Sequence, residues 1–243
     1  MTSPCTFLAW DSDFFGLRIA RVQGHYLTPE RQNDIANWCA AQDIACLYFL
    51  AACDDDVTVC TAEQAGYHLV DIRVTLNCAS EKAILLSKMS DDIVVRTSTE
   101  TDLTQLQEMG RDQFTDSRFY QDQHFPRERC QALYDTWIAK SLRRDSPDQV
   151  LVAECTGRAV GYLAITSHAS QGIGQISLMA VAPAAHGRGI GAALLDQGIR
   201  IFRRQNVHEL RVVTQGRNIA SQQLYQKFGL RTAQVQLWYH KWF

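Results

Sequence analysis

The residues best suited to binding a ligand are three alternating glycines, Gly187, Gly189 and Gly191. They follow an apolar strand pattern that ends just before Pro183, and they open an apolar helical pattern. Glycine lets the backbone approach a ligand without a Cβ in the way. A helix N-terminus presents N–H groups without intrahelical acceptors and the positive end of the helix dipole. Together these features predict a cradle for a pyrophosphate group.

The spacing of this loop separates it from two other phosphate-binding loops. It does not end in Gly-Lys-Ser or Gly-Lys-Thr, as a P-loop does, and its Gly-x-Gly-x-Gly spacing differs from the Gly-x-Gly-x-x-Gly of dinucleotide-binding folds. A tight turn from strand to helix would use the same glycines without any ligand. A second element is therefore needed to choose between these interpretations.

That second element begins at Asn218, a favourable helix N-cap residue. Ala220, Leu224 and Phe228 recur at helical spacing and are expected to face the core. Tyr225 is then expected to point elsewhere, toward a ligand of the glycine loop. A tyrosine whose hydroxyl is bonded within the core is the alternative.

The two elements together resemble the GCN5-related N-acetyltransferase (GNAT) family over residues 93–243. Val181-Ala182-Pro183, followed by Gly187-Arg188-Gly189-Ile190-Gly191, is similar to the family's acyl-CoA motif, with His186 at the position of the usual Arg or Gln. The segment from Asn218 to Leu230 is similar to the family's Asn-x-x-Ala-x-x-Leu-Tyr-x-x-x-Gly-Phe. The resemblance implies an α/β fold with a mixed, mostly antiparallel central sheet flanked by helices.

The resemblance also implies a reaction and roles for individual residues. Acetyl-CoA would be the co-substrate, and an amine would attack it directly in a ternary complex. Tyr225 would protonate the departing thiolate, and a backbone N–H near Val181 would polarise the thioester carbonyl. Residues 179–181 would splay from the neighbouring strand and bond the pantetheine arm. The expected acetyl-CoA-binding residues are Met179, Ala180, Val181, Gly187, Arg188, Gly189, Ile190, Gly191, Ala192 and Asn218, mostly through their main chain.

The acceptor is expected to meet the irregular segment 114–123, which concentrates a carboxylate, a guanidinium and two aromatic rings. Arginine matches phosphate oxygens, and aromatic rings stack on a base or a sugar. A surface loop with an ordinary salt bridge is the alternative. The candidate substrate residues are Asp116, Ser117, Arg118, Phe119 and Tyr120. For the general base, His168, Asp116 and Glu154 stay open, as does a mechanism without a base.

The N-terminal segment 8–16 is dense in aromatic and acidic residues. With the Ser-Arg-Phe loop and the two-part layout, it resembles bacterial acetyltransferases of TDP-linked 4-amino-4,6-dideoxy sugars in enterobacterial common antigen synthesis. The resemblance implies a nucleotide-sugar acceptor. A protein N-terminal or lysine acetyltransferase would share residues 176–230 and is the first alternative. A non-catalytic acyl-CoA-binding module is the second, although Tyr225 argues against it.

Hydrophobic periodicity divides the chain at about residue 90. A helix–strand–helix–strand pattern over 30–77 predicts a smaller α/β unit, 1–90, which resembles a truncated GNAT copy without the glycine loop. Residues 87–92 are expected to be the linker, and 91–243 the acetyltransferase domain. The apolar strand 235–243 is expected to be either an exposed edge used in a homodimer or a packed final strand.

Bulk composition excludes several other classes. The formal net charge is −2, with scattered Lys and Arg, which argues against a nucleic-acid partner. Eight cysteines lack Cys-x-x-Cys spacing, so no metal site is expected, and buried unpaired thiols are predicted. No signal peptide and no run of 18 apolar residues is recognised, which predicts a cytoplasmic protein without membrane insertion.

Overall fold

A ten-stranded mixed sheet runs through the computed structural model, which describes residues 3–85 and 92–243. Its strands are β1 (Cys5–Phe7), β2 (Ile19–Val22), β3 (Cys46–Ala52), β4 (His68–Ala79), β5 (Ile93–Thr97), β6 (Asp148–Cys155), β7 (Arg158–His168), β8 (Ile173–Val181), β9 (Glu209–Gln215) and β10 (Arg231–Trp242). The helices are α1 (Ala9–Phe15), α2 (Pro29–Ala41), α3 (Asp56–Gln64), α4 (Leu103–Gly110), α5 (Arg118–Gln121), α6 (Arg127–Ser141), α7 (Ile190–Arg204) and α8 (Ile219–Lys227). Among the strand pairs of the described residues, only β2–β3 and β8–β9 are parallel, so the predicted mixed, mostly antiparallel sheet is confirmed.

Short helices form in both aromatic-rich segments, 8–16 and 114–123. In the first segment, residues 9–15 form α1, which a left-handed Gly16 ends. The segment 114–123, expected to be irregular, contains the short helix α5. The hairpin between β6 and β7 turns through Thr156 and Gly157, both with positive φ, as the right-handed strand twist favours.

The last strand, β10, lies inside the sheet. It pairs with β3 on one side and with β4 on the other, in the order β1-β2-β3-β10-β4-β9-β8-β7-β6-β5. The expectation of an exposed edge available for dimer pairing was therefore wrong, and the packed final strand is what forms. Strands from both predicted units thus share one sheet. The linker predicted at 87–92 lies, except for Asp92, outside the described residues.

Successive side chains of β7 point to opposite faces of the sheet and pack against the helices there. Leu163 and Ile165 pack in the core cluster that contains the buried side of α7. Tyr162 and Ala164 pack with α4 and α6 on the opposite face. Each fully buried aliphatic side chain contributes roughly 1.5–3 kcal/mol to folding. A Cβ on Gly161 would lie 2.7 Å from the Ile190 side chain, so this glycine lets the start of α7 approach β7 closely.

The eight cysteines lie within the described residues as free thiols. Five of them are buried, Cys78 is half-buried, and Cys53 and Cys60 are exposed, so the prediction of burial was wrong for Cys53 and Cys60. Cys53 directly follows β3, and Cys60 lies on the exposed side of α3.

Candidate active site

The glycine loop joins β8 to α7 in a conformation that only glycine adopts readily. Gly187 has φ 76°, and Gly189, the N-cap of α7, has φ 80°. The first backbone N–H to find an acceptor in this helix is that of Ala193, which donates to the Gly189 carbonyl at 2.9 Å. The N–H groups of residues 190–192 therefore precede the helical hydrogen-bond ladder, and they lie where an anion would bind.

Strand β8 separates from β9 just before this loop. Its parallel pairing with β9 ends at the Ile176–Val212 pair, whereas its pairing with β7 continues to Val181. A bulge at Ser177 interrupts the β7–β8 register. The expected splay of residues 179–181 is therefore present in the backbone.

A cavity of about 670 Å³ occupies the space opened by this splay. It brings together most of the predicted acetyl-CoA-binding residues, namely Met179, Ala180, Val181, Gly187, Gly189, Ile190, Gly191, Ala192 and Asn218. A Cβ on Gly191 would lie 2.8 Å from Met179 Cε and 3.3 Å from Leu224 Cδ2, so this glycine keeps the narrow part of the cavity open. The backbone-lined cradle at a helix start fits a pyrophosphate group.

Arg188 does not line this cavity. Its guanidinium bonds Asp92 Oδ2 at 2.8 Å and Cys155 Sγ at 3.1 Å. The neighbouring His186 side chain bonds the Val181 carbonyl at 2.8 Å through Nε2. Both side chains thus brace the loop, and an anion bound at the start of α7 would meet the backbone N–H groups of the loop.

Helix α8 presents a different side to the cavity than its spacing predicted. Asn218 caps it, its side chain accepting the Ser221 N–H at 3.1 Å. Ala220, Leu224 and Phe228 line the cavity, whereas Tyr225 is only 5% exposed and lies in the hydrophobic core.

The expectation that Ala220 faces the core was wrong, and so was the expectation that Tyr225 points away from it. The bare backbone of Gly191 lets Leu224 approach the glycine loop, and this contact turns Tyr225 inward. Burial raises the pKa of Tyr225 to about 12, with the Ser221 side chain acting in the opposite direction. Its hydroxyl therefore stays protonated at neutral pH.

The predicted substrate residues are divided between three environments. Asp116 lines the cavity, together with Gln113. Ser117 and Phe119 are buried, the latter in a core cluster. The Tyr120 hydroxyl donates to Gln131 Oε1 at 3.1 Å. Of the five, Asp116 is thus the one that the structure places at the cavity wall.

Arg118 lies half-buried in an aromatic box, a name used here for the rings of Tyr48, Phe119 and Trp238. Its Cζ is 4.2, 4.1 and 4.4 Å from the three ring centroids, respectively. Its Nη1 bonds His240 Nε2 at 2.9 Å. Among the described residues, no carboxylate lies within ion-pair distance of Arg118, so the expected alternative of an ordinary surface salt bridge is wrong.

The three candidates for the general base are also separated. Asp116 is at the cavity, but His168 is exposed at the far end of β7. Glu154 accepts from Arg96 Nη2 at 2.6 Å on the β5–β6 side of the sheet. The structure therefore keeps Asp116 as a candidate and gives His168 and Glu154 no place near the cavity.

Sequence reasoning missed Asp71, a carboxylate of β4 that is 5% exposed. Burial raises its pKa to about 6, the charges of Arg217 and Arg118 oppose this rise, and the charge of Asp116 adds to it. Perturbed carboxyls are enriched at functional sites. The alternating pattern of β4 could not reveal it, because Asp71 occupies a buried position that only tertiary neighbours make polar.

No metal site or membrane span is found where the structure can be described. Within residues 3–85 and 92–243, no three His, Cys, Asp or Glu side chains are grouped so as to hold a metal ion. In the same residues, no helix has both the length and the apolar character needed to cross a bilayer.

The fold and the site define a class of enzyme. A family model described as the acetyltransferase (GNAT) family matches residues 105–230, just over half of the chain. The chain belongs to the GNAT family and is an acyltransferase of the N-acetyltransferase class, and the family implies acetyl-CoA as acyl donor. A GCN5-related N-acetyltransferase from Sphaerobacter thermophilus shares the fold, with TM-score 0.67 at 18% identity over 98% of this chain and 76% of the other.

Two named relatives are similar in sequence. The dTDP-fucosamine acetyltransferase of Escherichia coli O6:H1 is 26% identical over 239 residues, which cover 96% of each chain. The spore coat polysaccharide biosynthesis protein SpsD of Bacillus subtilis is 31% identical over 135 residues, 56% of this chain and 46% of its own. The match thus spans less than half of the length of the Bacillus protein.

Proposed function

We propose that this chain transfers the acetyl group of acetyl-CoA to the 4-amino group of TDP-4-amino-4,6-dideoxy-D-galactose (TDP-fucosamine). The observation that supports this choice of acceptor is the similarity to dTDP-fucosamine acetyltransferase over 96% of both chains. That similarity includes the N-terminal residues, and β3 of this segment supplies Tyr48 of the aromatic box around Arg118. The Bacillus relative, named for polysaccharide biosynthesis, also fits an acceptor that is a sugar derivative.

The donor would bind along β8 and the start of α7. Residues 179–181 would bond the pantetheine arm through the free edge that the splay leaves, and the N–H groups of residues 187–192 would hold the pyrophosphate. Lys227, which also lines the cavity, adds positive charge to this end. A backbone N–H near Val181 would polarise the thioester carbonyl.

The reaction needs a proton donor for the thiolate and a proton acceptor for the amine. As the amine nitrogen bonds the acetyl carbon and the carbon–sulfur bond breaks, Tyr225 would give its proton to the thiolate from the core side of α8, where Ser221, the partner of its hydroxyl, lines the cavity. The new ammonium proton would pass to a carboxylate. Asp116 lines the cavity, and Asp71, with its pKa of about 6, is ionised at neutral pH yet basic enough to accept a proton.

Arg118 would bind the diphosphate of the acceptor. Its guanidinium is held among rings on its faces and by His240 at one corner, so that its remaining N–H groups can form a planar fork for phosphate oxygens. A hydrogen bond to a charged group contributes roughly 1.5–3 kcal/mol. Loss of this contact would therefore raise the acceptor KM about tenfold or more.

The decisive experiment measures coenzyme A release with three acceptors: TDP-fucosamine, the same amino sugar without its diphosphate, and peptides with free N-termini or lysines. We expect the nucleotide sugar to be preferred. Arg118→Ala should raise its KM about tenfold while leaving the acetyl-CoA KM unchanged, and Arg118→Lys should recover only part of the loss. Arg129→Ala is the matched control, because Arg129 also lies over an aromatic ring, that of Phe14, but is exposed.

Three results would contradict parts of this proposal. If a peptide amine is preferred over every amino sugar, the acceptor is a protein and the sugar assignment fails. If Arg118→Ala weakens both sugars equally, Arg118 does not bind phosphate. If acetyl-CoA binds but none of the three acceptors causes release of coenzyme A, the proposed acceptor is wrong.

A further inference from the structure

A chain of buried hydrogen bonds holds one corner of the Arg118 guanidinium. Arg118 Nη1 bonds His240 Nε2 at 2.9 Å, and His240 Nδ1 bonds Asp122 Oδ2 at 2.6 Å. Trp242 Nε1 donates to the same carboxylate oxygen at 2.9 Å, and the backbone N–H of His124 donates to its other oxygen at 3.0 Å. His240 is 0% and Asp122 3% exposed.

This geometry determines the protonation of both buried groups. A guanidinium has donors only, so His240 Nε2 must accept from Arg118, and the ring proton then lies on Nδ1 and is donated to Asp122. Burial lowers the pKa of His240 to about 4, which keeps the ring neutral in this role. Burial would raise the pKa of Asp122, but the hydrogen bonds from His240, His124 and Trp242 outweigh it and hold that pKa below its ordinary value.

The carboxylate therefore acts on Arg118 through a neutral imidazole rather than by direct pairing. A direct Asp–Arg pair would occupy two N–H groups of the guanidinium with its own carboxylate. The imidazole of His240 occupies only one N–H group of the guanidinium, and the aromatic box fixes the plane of the guanidinium. The other N–H groups are left oriented and without a carboxylate within ion-pair distance in the described part of the chain.

We infer that Asp122 and His240 are positioning residues that orient Arg118 for the anionic group of the acceptor. The inference rests on the proposed function, in which Arg118 binds the acceptor diphosphate. Both residues are buried, and the hydrogen bond from Arg118 to His240 links them to the guanidinium, so their effect would pass through Arg118. His240 comes from β10 and Asp122 follows α5, so these hydrogen bonds join the two segments at Arg118.

A double-mutant cycle on acceptor KM tests this inference. His240→Phe keeps a ring in the core but removes the acceptor for Arg118, and we expect it to raise the TDP-fucosamine KM about three- to tenfold with little change in the acetyl-CoA KM. In an Arg118→Ala background the same substitution should have no further effect, because there is nothing left to orient. His240→Gln, whose amide can accept and donate in the same two directions, should recover most of the loss.

Two outcomes overturn the inference. If His240→Phe raises the acceptor KM by the same factor with and without Arg118, His240 supports the fold and does not act through Arg118. If Arg118→Ala impairs acceptor binding but His240→Phe does not, the proposed function stands and the positioning role fails.

The unmodified enzyme gives a second test that needs no variant. The ring ¹⁵N chemical shifts of His240 should show a neutral imidazole protonated at Nδ1 at pH 7. A ring protonated at Nε2, or at both nitrogens, would exclude the hydrogen bond from Arg118 and overturn the inference.

Discussion

The clearest quantitative prediction concerns Asp71→Asn. Asp71 is buried in β4 beside Trp238 of β10, and its Oδ1 accepts the backbone N–H of Ile72 at 2.8 Å. An asparagine keeps the shape of the side chain and the Oδ1 acceptor but cannot ionise. The substitution therefore removes the buried charge while retaining the one hydrogen bond that the position makes to the backbone.

The expected gain in stability follows from the raised pKa. The pKa of Asp71 rises from 3.8 to about 6 on folding, so the native state holds more protons than the unfolded chain between these pH values. The contribution of Asp71 to the free energy of unfolding is therefore fully present below pH 3.8 and is lost as the pH rises through 6. At about 1.4 kcal/mol for each pKa unit, the ionised side chain costs about 3 kcal/mol at neutral pH. The asparagine variant should recover up to that amount at pH 7.5 and gain little near pH 4.

Urea unfolding between pH 4 and 8 measures this difference, from the midpoint at unchanged m value. Asp13→Asn is the matched control, since it changes the net charge equally at an exposed position of α1. A difference between wild type and Asp71→Asn that stays constant across the pH range would refute the reasoning.

The same variant also separates stability from catalysis at this position. If Asp71 accepts the ammonium proton, kcat should fall about 10²–10⁴-fold while the protein becomes more stable. Unchanged turnover in the stabilised variant would leave Asp116 as the candidate base.

Two further predictions concern the donor site. Tyr225→Phe should lower kcat about 10²–10⁴-fold at nearly constant acetyl-CoA KM, and a variant that retains more than half of wild-type turnover would make the hydroxyl structural. Gly189→Ala should mainly lower stability, by about 1–2 kcal/mol, because a left-handed residue is strained although space is open there. Gly191→Ala should weaken acetyl-CoA binding in calorimetry, because its Cβ would push Met179 into the cavity, and equal affinities for the two alanine variants would contradict that difference.

Local sequence determined the elements that make the donor site. The glycine loop and the helix cap at Asn218 were predictable, because both depend on the conformational preferences of residues that are neighbours in the chain. A strand that runs into alternating glycines at a helix start has few conformations to choose from, so its geometry could be argued without knowing the rest of the fold.

The tertiary structure alone decided which side chains meet. Periodicity could not show that β10 would lie between β3 and β4, because strand pairing depends on residues far apart in the chain. The contact of Leu224 with the glycine loop, and hence the burial of Tyr225, depends on how α8 packs. Arg118 could be named from its type, but its partner His240 is 122 positions away. A hydrogen-bonded group of this kind arises from packing, and only the assembled sheet brings its members together.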